Sequence, residues 1–269
     1  MRFAALTHVG NRGGENEDAV GWSEPDRLWF VADGMGGHAA GQIASGIVKD
    51  VLLPGSREKN FAAVVLRAHK AVLAAAGSRE EWRGMGSTLV AARIDEGVCE
   101  VIWVGDSRAY LSRKGKLTAL TRDHSVVEEL RAEGLLSEAE IQSDPRAHHI
   151  TRALGQDNAA PASNRVPLRR GDRIVLCSDG LHDDVSDSVI ANLVRRNVDP
   201  NAAAQALVEA ALESGGRDNI SVIVVDYDGP TAPGAMRMDH AARRDLISIL
   251  IGVVAATLVI LAFWWLVPR

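Results

Sequence analysis

Cysteine is almost missing from this sequence: two occur in 269 residues, Cys99 and Cys177, far apart and each inside an apolar run. That usage excludes a disulfide framework and a Cys/His zinc cluster, and it reads as a reducing compartment. Aromatic residues are also scarce, at 4% of the chain. Basic charge is in deficit, since 30 Lys and Arg face 35 Asp and Glu and leave a formal net charge of −5. Tracking a phosphate backbone needs basic surface, and stacking bases needs interleaved aromatics, so nucleic acid is not an expected partner. The opening residues, MRFAALTHVGNRGGENED, turn polar too early to form the apolar core of a signal peptide. No internal repeat and no low-complexity tract is present.

What the chain has in quantity is ordinary core material, 46% hydrophobic and 24% charged, enough for one or two globular domains. One long apolar run stands apart. Residues 246–267, LISILIGVVAATLVILAFWWLV, carry no formal charge over 22 positions, and at about 1.5 Å per residue a helix of that length spans the ~30 Å hydrocarbon layer. A core helix of this length would show one polar face, and this run shows none. Trp264 and Trp265 fall where an interfacial aromatic belt would lie, and Arg237, Arg243 and Arg244 precede the run while Arg269 alone follows it. This pattern predicts a single transmembrane helix in the inner (cytoplasmic) membrane with the N-terminal bulk in the cytoplasm. The expected organisation is therefore a domain over residues 1–227, a linker over 228–245 and a membrane span over 246–267. The linker expectation rests on DGPTAPGAMRMDHAA, rich in proline and small turn residues.

Short β-branched or aromatic runs bounded by Gly, Asp or Ser predict strands over 27–33, 87–94, 98–106, 108–113, 173–179 and 220–227. Helices are predicted in pairs, 38–53 with 60–76 and 186–197 with 201–214. Strands between 87 and 120 follow one another through turns too short for crossover helices, which argues antiparallel pairing. Antiparallel runs alternating with helix pairs give an α+β layered fold, with helices covering sheets. Residues 122–159 form a polar insertion with one helix and a capping-box signature, Ser137 with Glu140, for a second.

Carboxylates recur at the ends of the strand signals. Asp33-Gly34 closes LWFVADG, Asp179-Gly180 closes IVLCSDG, Asp106 closes VIWVGDS, and Asp218 precedes NISVIVV. Asp-Gly is a common turn signal, so any one instance is ordinary. Four at strand termini are different, because converging carboxylates repel in a low dielectric unless a cation lies between them. Hard divalent ions take such all-oxygen shells, and Gly34 would leave its carbonyl free to contribute. Two ions sharing a water would supply a hydroxide for in-line displacement at phosphorus.

Seven segments, NEDA (16–19), VADGMGGHAAG (31–41), GSTLVAA (86–92), VGDSRAYL (104–111), TRDHS (121–125), LCSDGL (176–181) and GGRDNISVIVV (215–225), resemble in order and wording the metal-dependent protein phosphatase family (PPM, type 2C), particularly its bacterial members. The resemblance covers about residues 4–227. It implies a four-layer α-β-β-α sandwich of two antiparallel sheets flanked by helix pairs, two Mn²⁺ or Mg²⁺ ions, and hydrolysis of phosphoserine and phosphothreonine with no covalent enzyme intermediate. Carried over by motif, Asp33 bridges the ions, the Gly34 carbonyl is a ligand, and Asp179 and Asp218 are ligands on the other side. Glu17 and Asp18 orient metal-bound waters, Asp106 helps hold a third, weaker metal, and His38 is the general acid for the leaving seryl oxygen. Asn219 is expected to shape its loop rather than touch substrate. Phosphoproteins, among them Ser/Thr kinases and their substrates, are the implied partners.

The sequence departs from the bacterial pattern at one place. The phosphate-gripping Arg is expected three residues before Asn16, a slot held by Gly13, while Arg12 stands beside it. Gly13-Gly14 would let the loop bulge and bring the Arg12 fork to the phosphate. Two other readings compete with a membrane-tethered phosphatase: a catalytically weak scaffold with the same fold, and a two-ion phosphodiesterase or nuclease. Retention of every carboxylate opposes the first, and the acidic balance opposes the second.

Overall fold

A computed structural model describes residues 1–37, 39–136, 140, 144, 146 and 149–232. The predicted span 246–267, His38 and the Ser137 cap lie outside the described residues. Among the described residues, no helix is long and apolar enough to cross a membrane.

Two antiparallel sheets carry the architecture. In spatial order the first holds β1 (Arg2–His8), β11 (Ile220–Asp226), β10 (Arg173–Cys177), β7 (Arg108–Arg113) and β8 (Lys116–Ala119). The second holds β2 (Asp18–Ser23), β3 (Leu28–Met35), β5 (Leu89–Asp95), β6 (Val98–Val104) and β9 (Ala162–Pro167), with the short β4 (Gly86–Ser87) paired to β3.

Period-2 alternation sorts each strand between two cores. On β3, Leu28, Phe30 and Ala32 face the helices, whereas Trp29 and Val31 enter the layer between the sheets. On β10, Ile174 and Leu176 face between the sheets, and Val175 and Cys177 face out. Helices α1 (Ala40–Leu52) and α2 (Phe61–Ala76) cover the second sheet through Ala44, Val48, Leu52, Val65, Ala68 and Val72. Helices α5 (Asp187–Arg196) and α6 (Pro200–Glu213) cover the first through Ile190, Val194, Ala204 and Leu207. The order of layers is α-β-β-α. Between β8 and β9 lies α3 (Val126–Ala132), and the single-turn α4 (Asp179–His182) follows β10.

Local chemistry sets the helix starts. Asn60 accepts a hydrogen bond from the Ala63 amide, Asp199 accepts one from Ala202 with Pro200 at the first helical position, and Ser125 opens α3 by accepting from Glu128. The C-terminus of α5 is held by buried Arg173, which donates to the carbonyls of Val194, Asn197 and Val198 and to Asp226. Both cysteines are buried and unpaired.

The expected strands and helix pairs are present, with corrections. Strands β1, β2, β8 and β9 lie outside the predicted runs: each is only partly buried, so neither alternation nor β-branching marks them. Strand β3 does not stop at Asp33. It continues to Met35 because Gly34 and Met35 pair with Ser87 and Gly86. Helix α1 begins at Ala40, after a left-handed Ala39. Residues 228–232 lie on the domain: the Tyr227 hydroxyl donates to the Pro230 carbonyl at 2.8 Å, and the Ala232 amide donates to the Leu168 carbonyl at 2.8 Å.

Candidate metal centre

The alternation that buries Trp29 and Val31 between the sheets carries Asp33 into the same layer, at its open end. Directly across the ladder from it stands Asp18 on β2. Like charges facing each other across a strand pair destabilise it, so this placement needs another cause. Asp179 arrives from the other sheet, in the first turn after β10, near enough for its charge to act on Asp33. Asp106 lies in the turn between β6 and β7, and Asp218 in the loop before β11.

The electrostatics report one cluster. Burial, and then the charges of Asp179, Asp18 and Asp106, raise Asp33 well above the usual carboxylate range. Burial pushes Asp18 up to about 8, with Asp179 and Asp218 adding to it against hydrogen bonds from Ser221 and Ser178. Burial and Asp179 push Asp106 up to about 7. Asp179 is raised by burial, Asp183 and Asp218. Glu17, more open, is raised by burial and by Asp218.

Backbone packing fixes these groups. A Cβ on Gly34 would lie 2.0 Å from the Gly41 carbonyl oxygen. Only glycine lets β3 meet the start of α1 there. The Gly34 amide donates to the Glu17 carbonyl, which also accepts from Ser45. On the other sheet, a Cβ on Gly180 would lie 2.1 Å from the Asn219 carbonyl oxygen, so its absence lets α4 press against the Asp218 loop.

Several participants were not singled out in the sequence. Ser178 donates to Asp18 Oδ2 at 2.8 Å and accepts from the Ser221 amide, joining the two sheets at the cluster. Thr88 Oγ1 accepts from the Asp33 amide and bonds Ser107. His182 Nε2 contacts the Asp106 carbonyl at 3.1 Å. Single Ser, Thr and His residues carry no periodic signal. Ser178, Thr88 and Ser107 lie inside the family-like segments, where nothing distinguishes them from their neighbours, and His182 lies just past one. Asn219 shapes its loop as expected, and does more. Its Oδ1 accepts from the Glu17 amide and its Nδ2 donates to the carbonyls of Val9 and Glu15, tying the Asn-Glu-Asp segment to the Asp218 loop.

An open cleft of about 630 Å³ adjoins the cluster, lined by Arg12, Gly13, Glu17, Ala39, Arg217 and Asp218 among others. Gly13 and Gly14 have φ of 70° and 108°. Both lie in the left-handed region, which glycine adopts without strain, and Arg12 beside them lines the cleft wall. Arg217 is committed to Asp184, whose Oδ1 accepts from its Nε at 2.8 Å. Among the described residues Arg12 forms no ion pair.

The donor set suits hard cations. Asp18 Oδ1 and Asp179 Oδ1 are buried with no hydrogen-bond partner. Such an arrangement costs free energy unless a positive group satisfies it. Among the described residues, no three such side chains stand ready around one point to hold an ion.

A two-sheet sandwich with helix pairs outside and a carboxylate centre at one end of its inner layer defines the class of protein. The chain belongs to the protein phosphatase 2C family, whose model matches residues 6–220. It is 38% identical over 246 residues to the serine/threonine protein phosphatase PstP of Mycobacterium tuberculosis, covering 87% of this chain and 47% of PstP, so it spans about half the length of that relative. It is 32% identical over 235 residues to the Listeria monocytogenes serine/threonine phosphatase stp, covering 82% and 91% of the two chains. The crystal structure of the M. tuberculosis phosphatase superposes with a TM-score of 0.80 at 36% identity, over 85% of this chain and 99% of that one. The PstP catalytic domain in complex with two manganese ions superposes with a TM-score of 0.75 at 37% identity, covering 84% and 97%.

Proposed function

We propose that the protein is a metal-dependent phosphatase of phosphoserine and phosphothreonine in proteins, held at the cytoplasmic membrane by residues 246–267. The observation that carries the reading is the convergence of Asp18, Asp33, Asp106 and Asp179 at one end of both sheets, beside the Arg12 cleft. Two manganese or magnesium ions would be held by Asp33, the Gly34 carbonyl, Asp179 and Asp218, with Glu17 and Asp18 behind them and Asp106 toward a third. When bound, the ions supply a nucleophile at neutral pH and stabilise charge on the phosphoryl oxygens.

The chain's own residues do the rest. Arg12 binds the phosphate through its planar fork and sets its orientation. Ser178 fixes the Asp18 carboxylate and Thr88 the Asp33 backbone, so the geometry of the centre does not have to reorganise during reaction. Asn219 keeps Glu17 on the cleft wall. His38, assigned by motif, gives the proton to the departing alcohol. The tether is supported by the uncharged run and by the arginines before it, and it would concentrate membrane-proximal phosphoproteins, including Ser/Thr kinases, around the site. Filled carboxylate positions favour this over a scaffold.

Phosphate release from a phosphothreonine peptide, with and without Mn²⁺, tests the reading, with a cyclic dinucleotide and single-stranded DNA as alternative substrates. Activity should need the metal, fall below detection in Asp33→Asn and Asp179→Asn, and be absent on the nucleotides. Metal-independent release, or preference for a phosphodiester, would overturn the assignment.

A further inference from the structure

Charge in this acidic protein is separated along the strand axis. The carboxylates gather where β3 ends and β11 begins. The opposite end, where β10 and β1 begin and β11 finishes, carries a cleft of about 460 Å³ lined by five cationic side chains, Arg2, Lys114, Arg170, Arg173 and Arg195, against three acidic ones. Asp226 is shared by Arg2 and Arg173, and Asp172 is held by Arg113 at 2.6 Å from outside the lining. Among the described residues neither Arg170 nor Arg195 is in an ion pair. The second sheet repeats the pattern at the same end, where a cleft of about 650 Å³ has five cationic and three acidic lining residues. On the rim of the first cleft Val198 is 75% exposed.

The last described residues, 231 and 232, lie at this basic end. Thr231 Oγ1 accepts from the Arg170 amide at 3.4 Å, and Ala232, 5% exposed, is bonded to Leu168 in the same loop. The uncharged run begins at residue 246. Thirteen intervening residues reach at most about 45 Å even when fully extended. If that run crosses the bilayer, as the proposed function holds, this end is the one presented to it. The anionic inner leaflet attracts basic clusters within about a Debye length of its surface.

We propose that this end of the sandwich is a membrane-docking surface that binds anionic phospholipid headgroups through Arg2, Lys114, Arg170 and Arg195, with Val198 entering the interface. Docking there turns the carboxylate cleft away from the bilayer. The cleft and the basic end lie at opposite termini of β11, a strand of seven residues. At about 3.3 Å of rise per residue, that strand alone holds the cleft roughly 20 Å from the headgroups. Phosphorylated residues on flexible segments would then reach the cleft, and those close to the lipid surface would not. The inference rests on the tether reading.

The test is hydrogen exchange on the full chain in nanodiscs of phosphatidylcholine, with or without phosphatidylglycerol. Segments 113–116, 168–173 and 194–198 should be protected only with phosphatidylglycerol and at low salt, while the Asp218 loop exchanges equally in both. An Arg170→Glu, Arg195→Glu variant should lose that protection while keeping its activity on a soluble phosphopeptide, each removed charge weakening the contact roughly fivefold. Equal exchange in the two lipids would overturn the docking surface while leaving the tether intact. Protection by inorganic phosphate alone in phosphatidylcholine discs would overturn it too, as the mark of a soluble anion site. A chain that does not enter nanodiscs at all would instead sink the tether, and the docking surface with it.

Discussion

Arg12 and Asp33 show how much one residue's setting decides. Arg12 is the cleft's uncommitted guanidinium, since Arg217 is engaged by Asp184. Losing a charge-assisted, bidentate contact should raise KM for a small phosphoester about tenfold or more in Arg12→Ala, with kcat less affected. An unchanged KM would remove Arg12 from the site. Asp33 is held in place at a cost, buried within range of the charges of Asp179, Asp18 and Asp106. In chelator-treated protein, Asp33→Asn should relieve that repulsion and raise Tm by about 2–4 °C for each kcal/mol recovered, while abolishing metal-dependent activity. A melting temperature lower than the parent's under those conditions would mean that the aspartate is a structural element of the fold.

Elements bring such residues together. The polar segment opening at Arg122 is anchored by His124, whose Nδ1 accepts from the Gly105 amide at 3.1 Å and whose ring stacks on Trp103. Burial, together with Arg152, lowers the imidazole to about 4. In the unfolded chain the ring takes a proton below about 6.5, so between those values the unfolded state binds more protons and stability falls as pH falls. Urea unfolding at pH 7 and pH 5 should show this fall, reduced by about 1 kcal/mol in His124→Asn after allowance for the partly solvated edge of the site. The same slope in parent and variant would place the acid sensitivity in other groups. The strands were legible where both faces are buried, as in LWFVA and RIVLC, because continuous apolar runs need no partner to be recognised. Strands β1, β2, β8 and β9 were not, since each is defined by the neighbour whose hydrogen bonds complete it. The same holds for the end of β3, which Gly86 and Ser87 extend past the aspartate.

At the scale of the whole molecule, four layers place every carboxylate of the centre at one end and the last described residues, 231 and 232, at the other. Full-length protein should fractionate with membranes and be released by detergent but not by high salt or carbonate, whereas an amphipathic surface association would yield to those washes. Recovery in the soluble fraction would refute the tether. If the tether and the basic end act together, the protein is an oriented enzyme whose reach is set by the thirteen residues between residue 232 and the apolar run.

The sequence determined which residues could carry the chemistry. Asp33, Asp106, Asp179 and Asp218 are marked locally, by apolar strands and adjacent turn residues, and Arg12 by the two glycines that follow it. Local chain chemistry also determined the helix pairs, through caps at Asn60 and Asp199. Which carboxylates face one another was decided only by the tertiary structure. Asp18 opposes Asp33 through strand register, Asp179 reaches Asp33 across the inter-sheet layer, and Ser178 bonds Asp18 over 160 positions of sequence. Register and layer packing are properties of two segments at once, set by hydrogen bonds and burial between them, so neither segment alone encodes them.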